Sequence, residues 1–154
     1  MMYLTIKWLH ILSSTLLFGT GLGSAFYMFC ASRTRDPRVV AVVVRHVVLA
    51  DWLFTTPTIL LQPATGLYLV HLAGYPLTSR WLFASIVLYL LAVAAWLPVV
   101  WIQMRMRDLA ARAAAAGAAL PPLYGRYLRA WVALGIVAFV ALVIVFWLMV
   151  AKPA

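Results

Sequence analysis

Three histidines are the residues of this chain best suited to chemistry, since it has only three acidic side chains and one cysteine. His46 precedes His71 by about 37 Å of helix, which places the two at opposite ends of it. His10 and His71 instead lie near the same end of two separate apolar segments. Imidazoles from two helices of a bundle, held at one level, provide the axial ligands of a haem iron. The positions therefore predict a haem site with His10 and His71 as ligands; the alternative is that His10 bonds a neighbouring helix while His71 faces water.

The elements that must position these histidines are four long apolar stretches. About 20 apolar residues at about 1.5 Å each cross the hydrocarbon core of a bilayer. The runs are continuous rather than alternating, which favours helices over barrel strands. Because the chain is 67% hydrophobic and 10% charged, a separate soluble domain is excluded, and residues 1–154 form a single integral membrane domain. The stretches without any charged residue are Trp8–Ser32, Trp52–Ser79, Trp81–Met104 and Ala130–Ala151.

The predicted fold is an all-α transmembrane four-helix bundle with spans at about 3–31, 39–73, 80–108 and 123–151. The second helix is expected to be kinked, because Pro57 and Pro63 each remove a hydrogen bond and free a carbonyl one turn back. The side chains expected to satisfy the freed groups are those of Thr55, Thr56, Gln62 and Thr65. A kinked helix with polar side chains at membrane depth often lines a cavity, but it is equally common in membrane bundles that have no activity.

The distribution of the basic residues predicts the orientation. Nine of the twelve fall in the connections between the first and second and between the third and fourth charge-free stretches, which lie on the same side of the membrane. By the positive-inside rule these connections are cytoplasmic, and both termini are outside. The formal net charge of +9 therefore indicates topology and contact with anionic lipid headgroups, not nucleic acid. Lys7 and Arg80 fall on the outer side with His10 and His71, where they are candidates to bind haem propionates.

Two further features carry expectations. Gly19 and Gly23 form a GxxxG pair, which predicts close packing of another helix on that face of span one, nearly opposite the face that carries His10. Asp51, near the cytoplasmic end of the second helix, is expected to pair with Arg45, to bond His46, or to act as an anchor at the headgroups. No nucleophile with a base, carboxylate pair or phosphate-binding loop is present, and whether the chain is an enzyme stays open.

Short patterns along the whole chain carry a family resemblance: Tyr3-Leu4-x-x-Lys7-x-Leu9-His10-Ile11, Gly19–Gly23, Asp51-x-x-Phe54, Pro57, Pro63-x-x-Gly66, Trp81-Leu82, Trp96-x-Pro98 and Gln103-x-Arg105. They resemble a widespread group of bacterial integral membrane proteins of unknown function, which implies a multi-pass protein of the inner membrane. More distantly, the Lys-x-Leu-His opening and the four-span layout resemble the haem-binding HemJ-type protoporphyrinogen oxidases and the CopD-type copper-resistance membrane proteins.

The resemblance to the HemJ type implies that His10 corresponds to their haem-associated histidine. Those enzymes carry a functional lysine just after the tryptophan that opens span three, whereas Trp81 is followed here by Leu82, Phe83, Ala84 and Ser85. The resemblance therefore implies a haem site without implying protoporphyrinogen oxidation.

The expected function is that of an inner-membrane protein that binds haem b and has an electron-transfer or redox-accessory role. The alternative is a membrane accessory or transport protein without haem, either copper-related or a structural subunit that packs against a larger membrane complex through Gly19 and Gly23. Met104 and Met106 are the only close pair of thioether ligands for copper, and they lie at the cytoplasmic end, far from His10. The expected partners are the lipid bilayer and either a membrane redox partner or further copies of the chain.

Overall fold

The computed structural model describes residues 1–153, which form five α-helices and one π-helical turn. They are α1 Met2–Thr34, α2 Pro37–Ala50, the π-helical turn Asp51–Thr55, α3 Thr56–Ala73, α4 Arg80–Ala115 and α5 Pro122–Ala151. Because α2, the turn and α3 run on as one unit, four helical units are long and apolar enough to cross a membrane. The predicted all-α bundle of four spans is confirmed.

Local signals explain where the helices begin and end. The Asp36 side chain accepts a hydrogen bond from the backbone N–H of Arg38 at 2.9 Å, which caps α2. Gly74 ends α3 with a φ of 70°, a conformation that glycine adopts at little steric cost. Helix α4 runs to Ala115, beyond the predicted end of span three near residue 108, since alanine is the best helix former.

The bundle is packed most extensively at the end where the two arginine-containing connections meet. This end is called the arginine-rich end. There α4 packs against α5 and α2, and α1 packs against α2. Ser32 of α1 and Tyr124 of α5 are joined by a hydrogen bond of 2.8 Å. The buried core at this end consists of Met28, Val40, Val44, Val47, Val99, Ile102, Met106, Ala110, Tyr124 and Trp131.

Pro63 in α3 frees the carbonyl of Ile59, four residues earlier, as the sequence predicts. The group that satisfies this carbonyl is the hydroxyl of Tyr89 on α4, which donates a hydrogen bond of 2.5 Å. The expectation that a residue of the same helix would do so is therefore wrong at this position. The reason lies in the tertiary structure. Helix α4 places the Tyr89 hydroxyl next to the Ile59 carbonyl, and no side chain of α3 bonds this carbonyl.

The glycine pair of α1 is not an interface within the chain. A Cβ placed on Gly19 or Gly23 would have no neighbour within 4 Å in residues 1–153. Helix α1 instead packs on α3 through the face that carries His10 and Ser13. No helix within residues 1–153 packs on the glycine pair, since hydrogen bonds between polar side chains join α1 to α3 on another face, and packing of a partner's helix there stays a prediction.

Candidate functional site

His10 is held against α3 by direct contacts. Its ring Nδ1 lies 2.8 Å from Thr65 Oγ1. Gln62 Nε2 donates to the backbone carbonyl of His10 at 2.9 Å and to Ser13 Oγ at 2.6 Å. The ring lies so close to Gly66 that a Cβ there would be 3.2 Å from His10 Cε1. The absence of a side chain at Gly66 therefore lets the imidazole rest on the backbone of α3.

The hydrogen bonds of Thr65 determine which nitrogen of His10 carries the proton. Thr65 Oγ1 lies 2.6 Å from the carbonyl oxygen of Leu61, which can only accept, so the hydroxyl hydrogen is directed there. Thr65 Oγ1 must then accept from His10 Nδ1–H. In the neutral imidazole this assignment leaves a lone pair on Nε2, the form in which histidine ligates a metal.

The other three predicted site residues are exposed. His71 lies five residues after Gly66, about 7.5 Å further along α3. Lys7 Nζ lies 5.9 Å from the centre of the Tyr3 ring, and Arg80 is the first residue of α4. No hydrogen bond or ion pair within residues 1–153 joins Lys7, His71 or Arg80 to His10. The structure thus brings His10 to α3 but joins it to none of the other three, and the proposed ligand set stays a prediction.

A second polar group lies deep in the arginine-rich half of the bundle and centres on Asp51. This side chain is 6% exposed. Its Oδ1 accepts from Thr55 Oγ1 at 2.8 Å and its Oδ2 from Gln103 Nε2 at 2.5 Å. Gln103 Oε1 in turn accepts from Trp131 Nε1 at 3.2 Å. These contacts join the π-helical turn, α4 and α5 in one buried network.

The three expected environments of Asp51 are all wrong. Arg45 and His46 are both exposed, and His46 Nδ1 is 2.8 Å from the carbonyl of Val42 in its own helix. Residues three or four apart share a face of a helix. Asp51 follows these two by five or six residues, so it faces the bundle interior while they face away.

Gln103 and Trp131 are site residues that sequence reasoning missed. A signal existed, because Asp51 and Gln103 both stand at the arginine-rich end of an apolar stretch and so lie at a similar depth. A polar side chain at membrane depth usually finds a partner on a neighbouring helix. Nothing in the one-dimensional pattern, however, singles out Trp131 among seven tryptophans.

Comparison with known protein families shows which family the chain belongs to. The family described as "Predicted integral membrane protein (DUF2269)" matches residues 4–153, which include both polar groups. The chain belongs to this family. The DUF2269 description agrees with the four membrane-spanning units and states no activity. Searches of curated proteins and of solved structures gave no match. The resemblance of this DUF2269 chain to HemJ-type and CopD-type proteins stays a prediction.

Proposed function

We propose that the chain binds haem b in the bacterial inner membrane, with His10 as a ligand of its iron, and passes electrons or serves a redox enzyme. The observation that carries the proposal is the contact of His10 Nδ1 with Thr65 Oγ1 at 2.8 Å on a membrane-spanning helix, because it leaves Nε2 of the neutral ring available to a metal. Histidines that ligate a metal usually donate their other ring N–H to an acceptor that holds the ring in place. Thr65 is such an acceptor, and the contact with Gly66 restricts the ring further.

The surroundings of His10 limit where a haem would bind. Because the imidazole rests directly on Gly66, the macrocycle does not fit between α1 and α3 at this level. It would be held on the side of the ring away from Thr65. His71 is the candidate for the second ligand, and Lys7 and Arg80 are candidates to bind the propionates; all three side chains are exposed. When bound, the haem supplies one-electron chemistry, and the chain sets its potential through ligand identity and burial.

A visible spectrum of the detergent-purified protein tests the proposal. Protein from haem-sufficient cells is expected to be red, with bands that shift on reduction by dithionite. His10→Ala should lose the spectrum, whereas His46→Ala, a matched change at the opposite end, should retain it. Thr65→Val keeps the shape but removes the acceptor for Nδ1–H, and should weaken haem affinity about 10- to 100-fold. A wild-type protein that stays colourless after incubation with haemin refutes the proposal.

The same spectrum separates haem from the copper-related alternative. The lone pair of His10 Nε2 also suits copper, but Met106 is fully buried in the core at the arginine-rich end and cannot join it. Copper binding that disappears in His10→Ala, without any haem spectrum, supports that alternative. Unchanged partner binding after replacement of all three histidines supports a structural subunit instead.

A further inference from the structure

One arginine and two aromatic residues form a surface patch near the arginine-rich end, where α4 packs against α5. The Arg105 guanidinium carbon lies 5.3 Å from the centre of the Trp101 ring. On the neighbouring helix, the Tyr127 ring centre lies 5.8 Å from that of Trp101, and the two rings meet edge to face at 86°. Trp101 is 48% exposed and Arg105 is also exposed. The patch therefore faces the surroundings of the bundle, not its interior.

The patch lies at the boundary between the apolar and the charged parts of α4. Arg105 directly follows the charge-free stretch Trp81–Met104. Leu90, Leu97 and Trp101 precede it at spacings of seven and four residues, so they share its face of the helix, and both leucines are largely exposed. A helical side chain leans toward the N-terminus of its helix, which brings the Arg105 guanidinium back onto Trp101. The charge is therefore held where lipid headgroups meet acyl chains, the level at which tryptophan is enriched.

The hydrogen-bond donors of the patch have no acceptor within residues 1–153. Arg105 forms no hydrogen bond or ion pair there, and the Tyr127 hydroxyl forms no hydrogen bond. Asp108, one turn after Arg105, is instead bound by Arg107, whose Nη2 lies 2.9 Å from Asp108 Oδ1. Five N–H groups of the guanidinium and one phenolic O–H are therefore available to a bound molecule, on two residues that contact the same indole.

The chemistry of the patch matches an anionic phospholipid. Phosphate oxygens accept hydrogen bonds from a phenol and paired hydrogen bonds from a guanidinium. We propose that the patch binds the phosphate of one anionic phospholipid, whose acyl chain packs along Leu97 and Leu90. The ammonium of a zwitterionic headgroup finds no free carboxylate, because Asp108 is paired with Arg107. The net charge of the arginine-rich end attracts anionic lipids in general, whereas the patch binds one of them at a defined position.

Native mass spectrometry of the detergent-solubilised protein, titrated with palmitoyl-oleoyl phosphatidylglycerol, measures the dissociation constant of the first bound lipid. This lipid should bind about 10-fold more tightly than phosphatidylcholine with the same acyl chains. Arg105→Gln should weaken its binding about 10-fold, and Tyr127→Phe, which removes one neutral donor, about 3-fold. The matched control is Arg45→Gln, which removes the same charge near the same end. Arg45 is exposed and lies over no aromatic ring in the described part of the chain, so this variant should bind nearly as the wild type does.

Equal weakening by Arg105→Gln and Arg45→Gln would overturn the proposal, because it would mean that net charge alone attracts the lipid. Equal binding of phosphatidylglycerol and phosphatidylcholine would also overturn it. Inorganic phosphate should not displace the lipid, since it has no acyl chain to pack on Leu90 and Leu97; displacement would indicate a site for free phosphate instead. Helix content measured by circular dichroism shows whether each variant is folded, and Tyr127→Phe remains decisive if Arg105→Gln is not.

Discussion

Replacement of Gln103 by methionine tests whether the network around Asp51 stabilises the bundle. Methionine has nearly the same length and shape but neither donates nor accepts strongly. The change removes the hydrogen bond of 2.5 Å to Asp51 Oδ2 and that of 3.2 Å from Trp131 Nε1. Since Gln103 is fully buried, water cannot take its place as the hydrogen-bond partner of Asp51 or of Trp131.

The expected loss follows from the cost of the two orphaned groups. A buried polar group left unpaired costs about 1–3 kcal/mol in soluble proteins. Hydrogen bonds between membrane helices contribute less, about 0.6 kcal/mol on average and about 1.7 at most. We therefore expect Gln103→Met to lower the free energy of unfolding by about 1–3 kcal/mol. Trp131→Phe removes the donor that Gln103→Met leaves unpaired. The double variant should therefore lose less free energy of unfolding than the sum of the two single losses.

Unfolding of the purified protein in mixed micelles with increasing SDS, followed by circular dichroism, measures this loss. Ser85→Ala is the matched control, because Ser85 is equally buried but bonds only the Trp81 carbonyl of its own helix at 2.7 Å. Its removal leaves no group unpaired and should cost less than about 0.5 kcal/mol. If Gln103→Met costs no more than Ser85→Ala, or if the two changes at 103 and 131 are additive, the network does not stabilise the fold.

Three further predictions concern single features. Tyr89→Phe leaves the Ile59 carbonyl unpaired and should lower the free energy of unfolding by about 1 kcal/mol in the same assay; no change would mean that another group or water satisfies this carbonyl. Asp36→Ala removes the cap of α2 and should cost about 1 kcal/mol, whereas Asp36→Asn, which still accepts, should cost little. For topology, a single cysteine at Thr78 should react with an impermeant maleimide in intact cells, and one at Gly117 only after permeabilisation, in a background without the native cysteine. The reverse pattern would contradict the assigned orientation.

The number of spans and the helical class were predictable from the sequence because they depend on local properties. Apolar length is set by bilayer thickness, and the absence of charge within each stretch is visible residue by residue. The cap at Asp36 and the end of α3 at Gly74 are likewise local, since each involves backbone groups within a few residues.

The partners of the polar side chains were predictable only in part. That His10 hydrogen-bonds another helix was one of the two alternatives, but Thr65 and Gly66 as its neighbours were not indicated. Asp51 was expected to pair with Arg45, to bond His46 or to anchor at the headgroups, and its actual partners Thr55 and Gln103 were not indicated. Each of these depends on how one helix is rotated and displaced relative to another.

The sequence by itself therefore determined a four-span helical membrane protein with its basic residues gathered at one end. Only the tertiary structure decided that Asp51, Gln103 and Trp131 meet, that Tyr89 satisfies the Ile59 carbonyl freed by Pro63, and that the His10 ring rests on Gly66. The physical reason is that hydropathy and charge act along the chain, whereas contacts across helices depend on the rotation and depth of each helix. Many weak packing interactions, summed over the whole bundle, set those two quantities.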